Sequence, residues 1–129
     1  MKNIEQQLES SLDEIIFQLS KGASIEGLKK GIRWHGFEQV KEWQNRMGYK
    51  LHIYSNDHFI DGKPHFHLIK ESEQIDCKFD FLGKLLNCAK NSTPKKITDA
   101  VAYFCELQGQ YEKLIAFWNQ KNPNLLINH

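Results

Sequence analysis

Pro64-His65-Phe66-His67-Leu68-Ile69-Lys70-Glu71, then Ser72-Glu73-Gln74, then Ile75-Asp76-Cys77-Lys78-Phe79-Asp80-Phe81 is the stretch on which the fold turns. Both flanking segments are short, rich in apolar and aromatic residues, and close to strand periodicity. The short polar link makes them an antiparallel hairpin. Upstream, Tyr49-Lys50-Leu51-His52-Ile53-Tyr54-Ser55 alternates in the same way. Ser55 to Lys63 holds Asn56, Asp57, Asp61 and Gly62 and reads as a loop. Together these segments predict a three-stranded antiparallel meander.

Either side of the meander the period is helical. Ile4, Leu8, Leu12, Ile15, Ile16 and Leu19 form one face of a helix over about residues 3–20, with Asn3 as N-cap and Gly22 beyond its end. Ser24 caps a second start, in which Ile25, Leu28 and Ile32 share a face. Phe37, Val40, Trp43 and Met47 fit a third, closed by Gly48. Downstream, Thr93 is the expected cap and Pro94 the first helical residue. Ile97, Val101, Phe104, Tyr111, Leu114, Ile115 and Trp118 then mark one long helix to about residue 119, with Gly109 as a bend and Asn122-Pro123 as its end. Leu82-Gly83-Lys84 reads as a turn. The class is α+β: N-terminal helices, the meander, then a long C-terminal helix. Residues 1–48 read as a helical extension and 49–129 as the α+β domain proper, in one compact unit.

The chain has 129 residues, 40% apolar and 26% charged, with a formal charge of +1. That fits a single folded domain and excludes a strongly basic protein that holds nucleic acid by bulk charge. Three cysteines, Cys77, Cys88 and Cys105, without a Cys-x-x-Cys pair, predict free buried thiols in a reducing cytoplasm. No apolar run is long enough to span a membrane, and the start has no secretory core.

The chemistry concentrates in Pro64-His65-Phe66-His67. On a strand His65 and His67 project from one face, taken here to be exposed, and Phe66 from the other. Two neighbouring imidazoles can share acid and base roles near neutral pH, or ligate a metal. Asp57 and His58 precede the strand by a loop short enough to fold back over it. Asp76 and Asp80 share a face of the partner strand, and Lys78 lies between them. One register puts these on the histidine face, where a carboxylate can orient an imidazole; a one-residue slip puts them on the other. The catalytic candidates are therefore His65, His67 and His58, and the ligand-binding candidates Asp57, Lys78, Asp76 and Asp80. No organic cofactor is expected. A metal held by His58, His65 and His67 is the alternative. Lys29, Lys30, Arg33 and His35 beside Trp34 form a basic cluster that reads as a solvated helix face. No nucleophile elbow, phosphate-binding loop, dinucleotide fingerprint or zincin motif is present.

Ser55-Asn56-Asp57-His58 and Pro64-His65-Phe66-His67, with the strand that follows and the helix ending near Trp118, resemble a bacterial family of unknown function marked by an Asp-His … Pro-His-Phe-His box. The likeness runs from about Leu51 to Trp118. It implies a small single-domain protein, often encoded beside another small protein, with some members proposed as toxin–antitoxin components. Phe59-Ile60-Asp61-Gly62-Lys63 lengthens the loop relative to members in which Pro-Pro-His follows Asp-His closely. The leading expectation is a cytoplasmic protein that binds or cleaves RNA or another phosphate-bearing ligand through the His-box face. In the catalytic form His65 and His67 act as base and acid, and His58 or Lys78 contacts phosphate. The competing expectations are a protein-interaction module or homodimer built on the N-terminal helices, and the metal protein.

Overall fold

The computed structural model describes residues 3–32 and 46–127. The expected helical face of Phe37, Val40 and Trp43, and Arg33, Trp34 and His35 of the basic cluster, lie outside the described residues. The described elements are α1 (Ile4–Ser20), α2 (Ile25–Lys29), β1 (Lys50–His52), β2 (His65–Lys70), β3 (Ile75–Asp80), β4 (Leu85–Cys88), α3 (Lys95–Glu106) and α4 (Gln110–Lys121). The strands form one antiparallel sheet in the order β1-β2-β3-β4.

The class is α+β as expected, with a fourth strand in addition to the meander. Gly83, at φ 88°, turns the chain after β3 so that Leu85–Cys88 can return along it. The hairpin between β2 and β3 closes through a short 3-10 turn, Glu71–Glu73, and Gln74 in the left-handed region at φ 53°. The expected long C-terminal helix is instead two helices. Leu107 is extended and Gly109 sits at φ 86°, so the helical path stops and restarts as α4. Of the expected stripe, Ile97, Val101 and Phe104 are buried on α3 and Leu114, Ile115 and Trp118 on α4, whereas Tyr111 just after the break is exposed. Pro94 takes the N-cap position of α3, so the helix starts one residue later than expected, and Thr93 bonds Thr98 rather than the backbone.

The capping expectations at α1 and α2 hold in detail. Asn3 and Gln6 form a reciprocal capping box, and Ser24 accepts from the Gly27 amide at 2.9 Å. Leu8, Leu12, Ile15, Ile16 and Leu19 are buried against α3, α4 and β1. Asp13, also buried, accepts from the amides of Arg46 and Met47 and pairs with the Arg46 guanidinium at 3.2 Å. The first helix thus buries its stripe within its own chain, on the same core as the sheet.

The cysteine expectation needs correcting. Cys77 and Cys88 are register partners on β3 and β4 and form a disulfide; Cys105 alone is free, and buried. Directly paired positions place two side chains side by side, which spacing along the chain does not reveal. Among the described residues no helix is long and apolar enough to cross a membrane.

Candidate metal centre

Register decides which groups meet. His65 pairs with Asp80, His67 with Lys78 and Ile69 with Asp76; on the other side His52 pairs with His67. Paired residues in an antiparallel ladder share a face. One face therefore carries His52, His65, His67, Asp76, Lys78 and Asp80. The other carries Leu51, Phe66, Leu68, Cys77 and Phe79, all fully buried. The register is the one that puts the acidic pair with the histidines.

The polar face is not open. His65 is 0% exposed and His67 6%. The expectation of imidazoles on an exposed surface fails because the segment between β1 and β2 folds over them. Asp61 and Gly62, at φ 51° and 74°, make a tight reversal between Ile60 and Lys63, whose backbones exchange two 2.9 Å hydrogen bonds. This takes up the additional residues of the loop. Phe59 is laid flat on Trp118, with centroids 5.6 Å apart, and Trp118 also stands edge-on to His65 at 5.8 Å. Tyr54 covers His67 from the β1 side at 4.6 Å.

Asn122 sets the position of Asp57. It is 2% exposed at the end of α4. Its Oδ1 accepts from the Asp57 amide at 2.6 Å, and its Nδ2 donates to the Tyr54 carbonyl at 3.1 Å. The Asp57 carboxylate is thereby held over both imidazoles: Oδ2 lies 3.1 Å from His65 Nε2 and 3.8 Å from His67 Nε2. Its Oδ1 accepts from the His58 amide at 2.8 Å and lies 3.2 Å from His58 Nδ1. His67 Nδ1 faces Asp76 Oδ1 at 3.0 Å, which fixes the ring and turns Nε2 toward Asp57.

His65 is the informative residue. Its Nε2 is close to Asp57 but off the line a ring N–H would need, so neither ring nitrogen has a hydrogen-bond partner among the described residues. A buried polar atom left unpaired costs about 1–3 kcal/mol. Burial is also the main influence on its basicity and lowers the pKa. Asp57 opposes that effect, while His67, His58 and Lys78 add to it. A neutral imidazole with an unshared nitrogen pointing at a carboxylate and a second imidazole is a ligand arrangement. One donor atom each from Asp57, His65 and His67 lies within 4.8 Å of the others. Two ligands on one tetrahedral zinc stand about 3.4 Å apart, so the 3.1 and 3.8 Å separations bracket what an ion requires.

The other candidates sort by position. His58 is not in the triad; its side chain is 79% exposed and rests on Asp57 from outside. Asp80 shares the histidine face, but its Oδ1 accepts from the amides of Leu82 and Lys84, closing the turn to β4. Its Oδ2 is 3.6 Å from Lys63 Nζ. Lys78 is half-buried beside His67. Asn122, Tyr54 and Trp118 were not singled out for this site from the sequence. An Asn before a Pro reads only as a helix end, and nothing local shows that its amide reaches back to Asp57.

The fold and the cluster define a small α+β protein with an Asp/His/His centre between its sheet and a returning loop. The family model for the domain of unknown function DUF4160 matches residues 48–119, more than half the chain, and the chain belongs to that family. The match covers the sheet, α3 and most of α4. No curated protein and no solved structure matches the chain significantly.

Proposed function

We propose that this protein binds one divalent transition-metal ion through Asp57, His65 and His67. The observation that carries the reading is His65: an imidazole fully buried, with no hydrogen-bond partner among the described residues, and close to two further donors. Two imidazoles and one carboxylate suit zinc or another late first-row ion rather than calcium or magnesium. Asp76 is the partner that orients His67. Three protein donors leave a coordination position for water or a ligand, as in catalytic rather than structural zinc sites. His58, held by Asp57 at the outside, is placed to exchange protons with solvent.

The metal-free acid/base pair is less well supported, because full burial of His65 leaves it no route to a polymeric substrate. The interaction-module reading loses its intended stripe, since α1 buries it internally. A bacterial, toxin–antitoxin-like, cytoplasmic setting with RNA or another phosphate-bearing ligand belongs to this proposal only as context. The Cys77–Cys88 disulfide weighs against such a reducing compartment.

The test uses untagged protein. Elemental analysis and zinc titration are expected to give one equivalent per chain. Asp57→Asn and His65→Gln are expected to lower affinity at least about tenfold, and His58→Ala to leave the stoichiometry intact. Wild-type protein that takes up no ion would overturn the proposal.

A further inference from the structure

We infer that the Asp57/His65/His67 centre, once it holds its ion, accepts an oxyanion as its remaining ligand, and that Lys78 supplies the second charge that holds this anion. The inference rests on the metal reading above and extends it to the class of ligand.

Charge balance around the triad is the first argument. Asp80 faces Lys63 at 3.6 Å, so those two charges offset one another. Glu5 pairs with His52 on the far side of the Tyr54 ring. What remains beside the triad is Asp57 and Asp76 against Lys78, because imidazoles bind metal in their neutral form. A divalent ion then turns one net negative charge into one net positive charge. In a partly buried site of low dielectric that residue of charge favours an anion over a neutral ligand.

Lys78 itself is the second argument. It stands directly opposite His67 in the ladder, so their side chains are neighbours on one face. Of the two carboxylates that flank it on that face, Asp76 is committed to His67 Nδ1 and Asp80 to the turn amides and Lys63. Among the described residues the Lys78 ammonium has no hydrogen bond or ion pair. An ammonium on the same face as a metal ion is repelled by it, and an anion between them offsets that repulsion. Phosphate and carboxylate share the chemistry required: an oxygen for the metal and another for the ammonium.

Protein loaded with one equivalent of cobalt(II), whose visible absorption reports the ion's ligands, is titrated with inorganic phosphate and separately with acetate. A saturable spectral change is expected, weakened at least about tenfold in Lys78→Met and largely retained in Lys78→Arg. A response to phosphate assigns the site to phosphate-bearing ligands, and a response to acetate alone assigns it to carboxylates; either supports the inference. Equal affinity in wild type and Lys78→Met overturns it. So does a cobalt-loaded protein that ignores both anions, which leaves the metal reading standing. Cobalt content is measured on every variant. Wild type that takes no cobalt sinks the metal reading before any anion is added. Loss of cobalt from Lys78→Met also overturns the inference, since removing a cation should not loosen a cation's site.

Discussion

Asp57 is used twice, and that is what makes the centre. One oxygen faces the two imidazoles and the other holds His58. The carboxylate would drift if its backbone were free, and the buried Asn122 amide prevents this. Asn122→Ala is therefore expected to lower metal affinity about 10–100-fold, the usual range for a group that orients a ligand. It should also destabilise the fold by about 1–3 kcal/mol through the unpaired Asp57 amide and Tyr54 carbonyl. Zinc competition and denaturant unfolding of the same sample separate the two effects. Asp76→Asn tests charge alone, because Asn keeps an oxygen to orient His67 Nδ1: a drop in metal affinity of less than about twofold would show that the carboxylate charge is not needed. His65, His67 and Asp57 were all legible as candidates from residue type and spacing. What was not legible is that the group facing both imidazoles is Asp57 rather than His58. Adjacent residues on a loop differ only in which way the backbone turns, and Asn122 makes that choice from 65 residues away.

At the scale of elements, alternation and capping revealed α1, α2 and the β2–β3 hairpin, because each is specified within its own segment. They did not reveal β4 or the break before α4. Leu85-Leu86-Asn87-Cys88 is short and does not alternate, and it is a strand because β3 offers it a paired edge. The break at Leu107–Gly109 has apolar residues at helical spacing on both sides, so periodicity passes over it. Both corrections converge on glycines with positive φ. The one at the β3–β4 turn is the more constrained. A Cβ on Gly83 would lie 2.8 Å from the Ala102 Cα on α3, and the residue already has φ 88°. Gly83→Ala is therefore expected to cost about 2–4 kcal/mol, combining left-handed strain with displacement of α3. Gly62, also left-handed but with nothing within 4 Å, should lose only about 1 kcal/mol on the same change. Thermal unfolding of both variants checks the order; equal losses would show that the contact with α3 yields freely.

Over the whole molecule, one core joins the first helix, the sheet and the C-terminal helices, and Cys105 reports on it. Burial, with Asp80 and Glu106 nearby, pushes its thiol up to about 12 from an ordinary 9.0. In the folded state it stays protonated and inert at pH 8, whereas the unfolded chain exposes an ordinary thiol. The sign of the linkage follows. Above pH 9 the unfolded state loses a proton that the folded state keeps, so stability falls as pH rises through 9 toward 12, and below 9 this group contributes no pH dependence. Cys105 labelling by a thiol reagent under reversible conditions should thus track global opening rather than local exposure. Asp13 supplies the perturbation. Its carboxylate fastens Arg46 and Met47 onto α1 through two amides and a guanidinium, with only 2% of its side chain exposed. Asp13→Ala leaves those donors unpaired and should cost about 3 kcal/mol. If α1 belongs to the same cooperative unit as α3, labelling of Cys105 then accelerates about a hundredfold, the factor such a loss of stability implies. Unchanged labelling, with a normal loss of helicity, would mean instead that α1 detaches alone and that the sheet, α3 and the Asp/His/His centre persist without it.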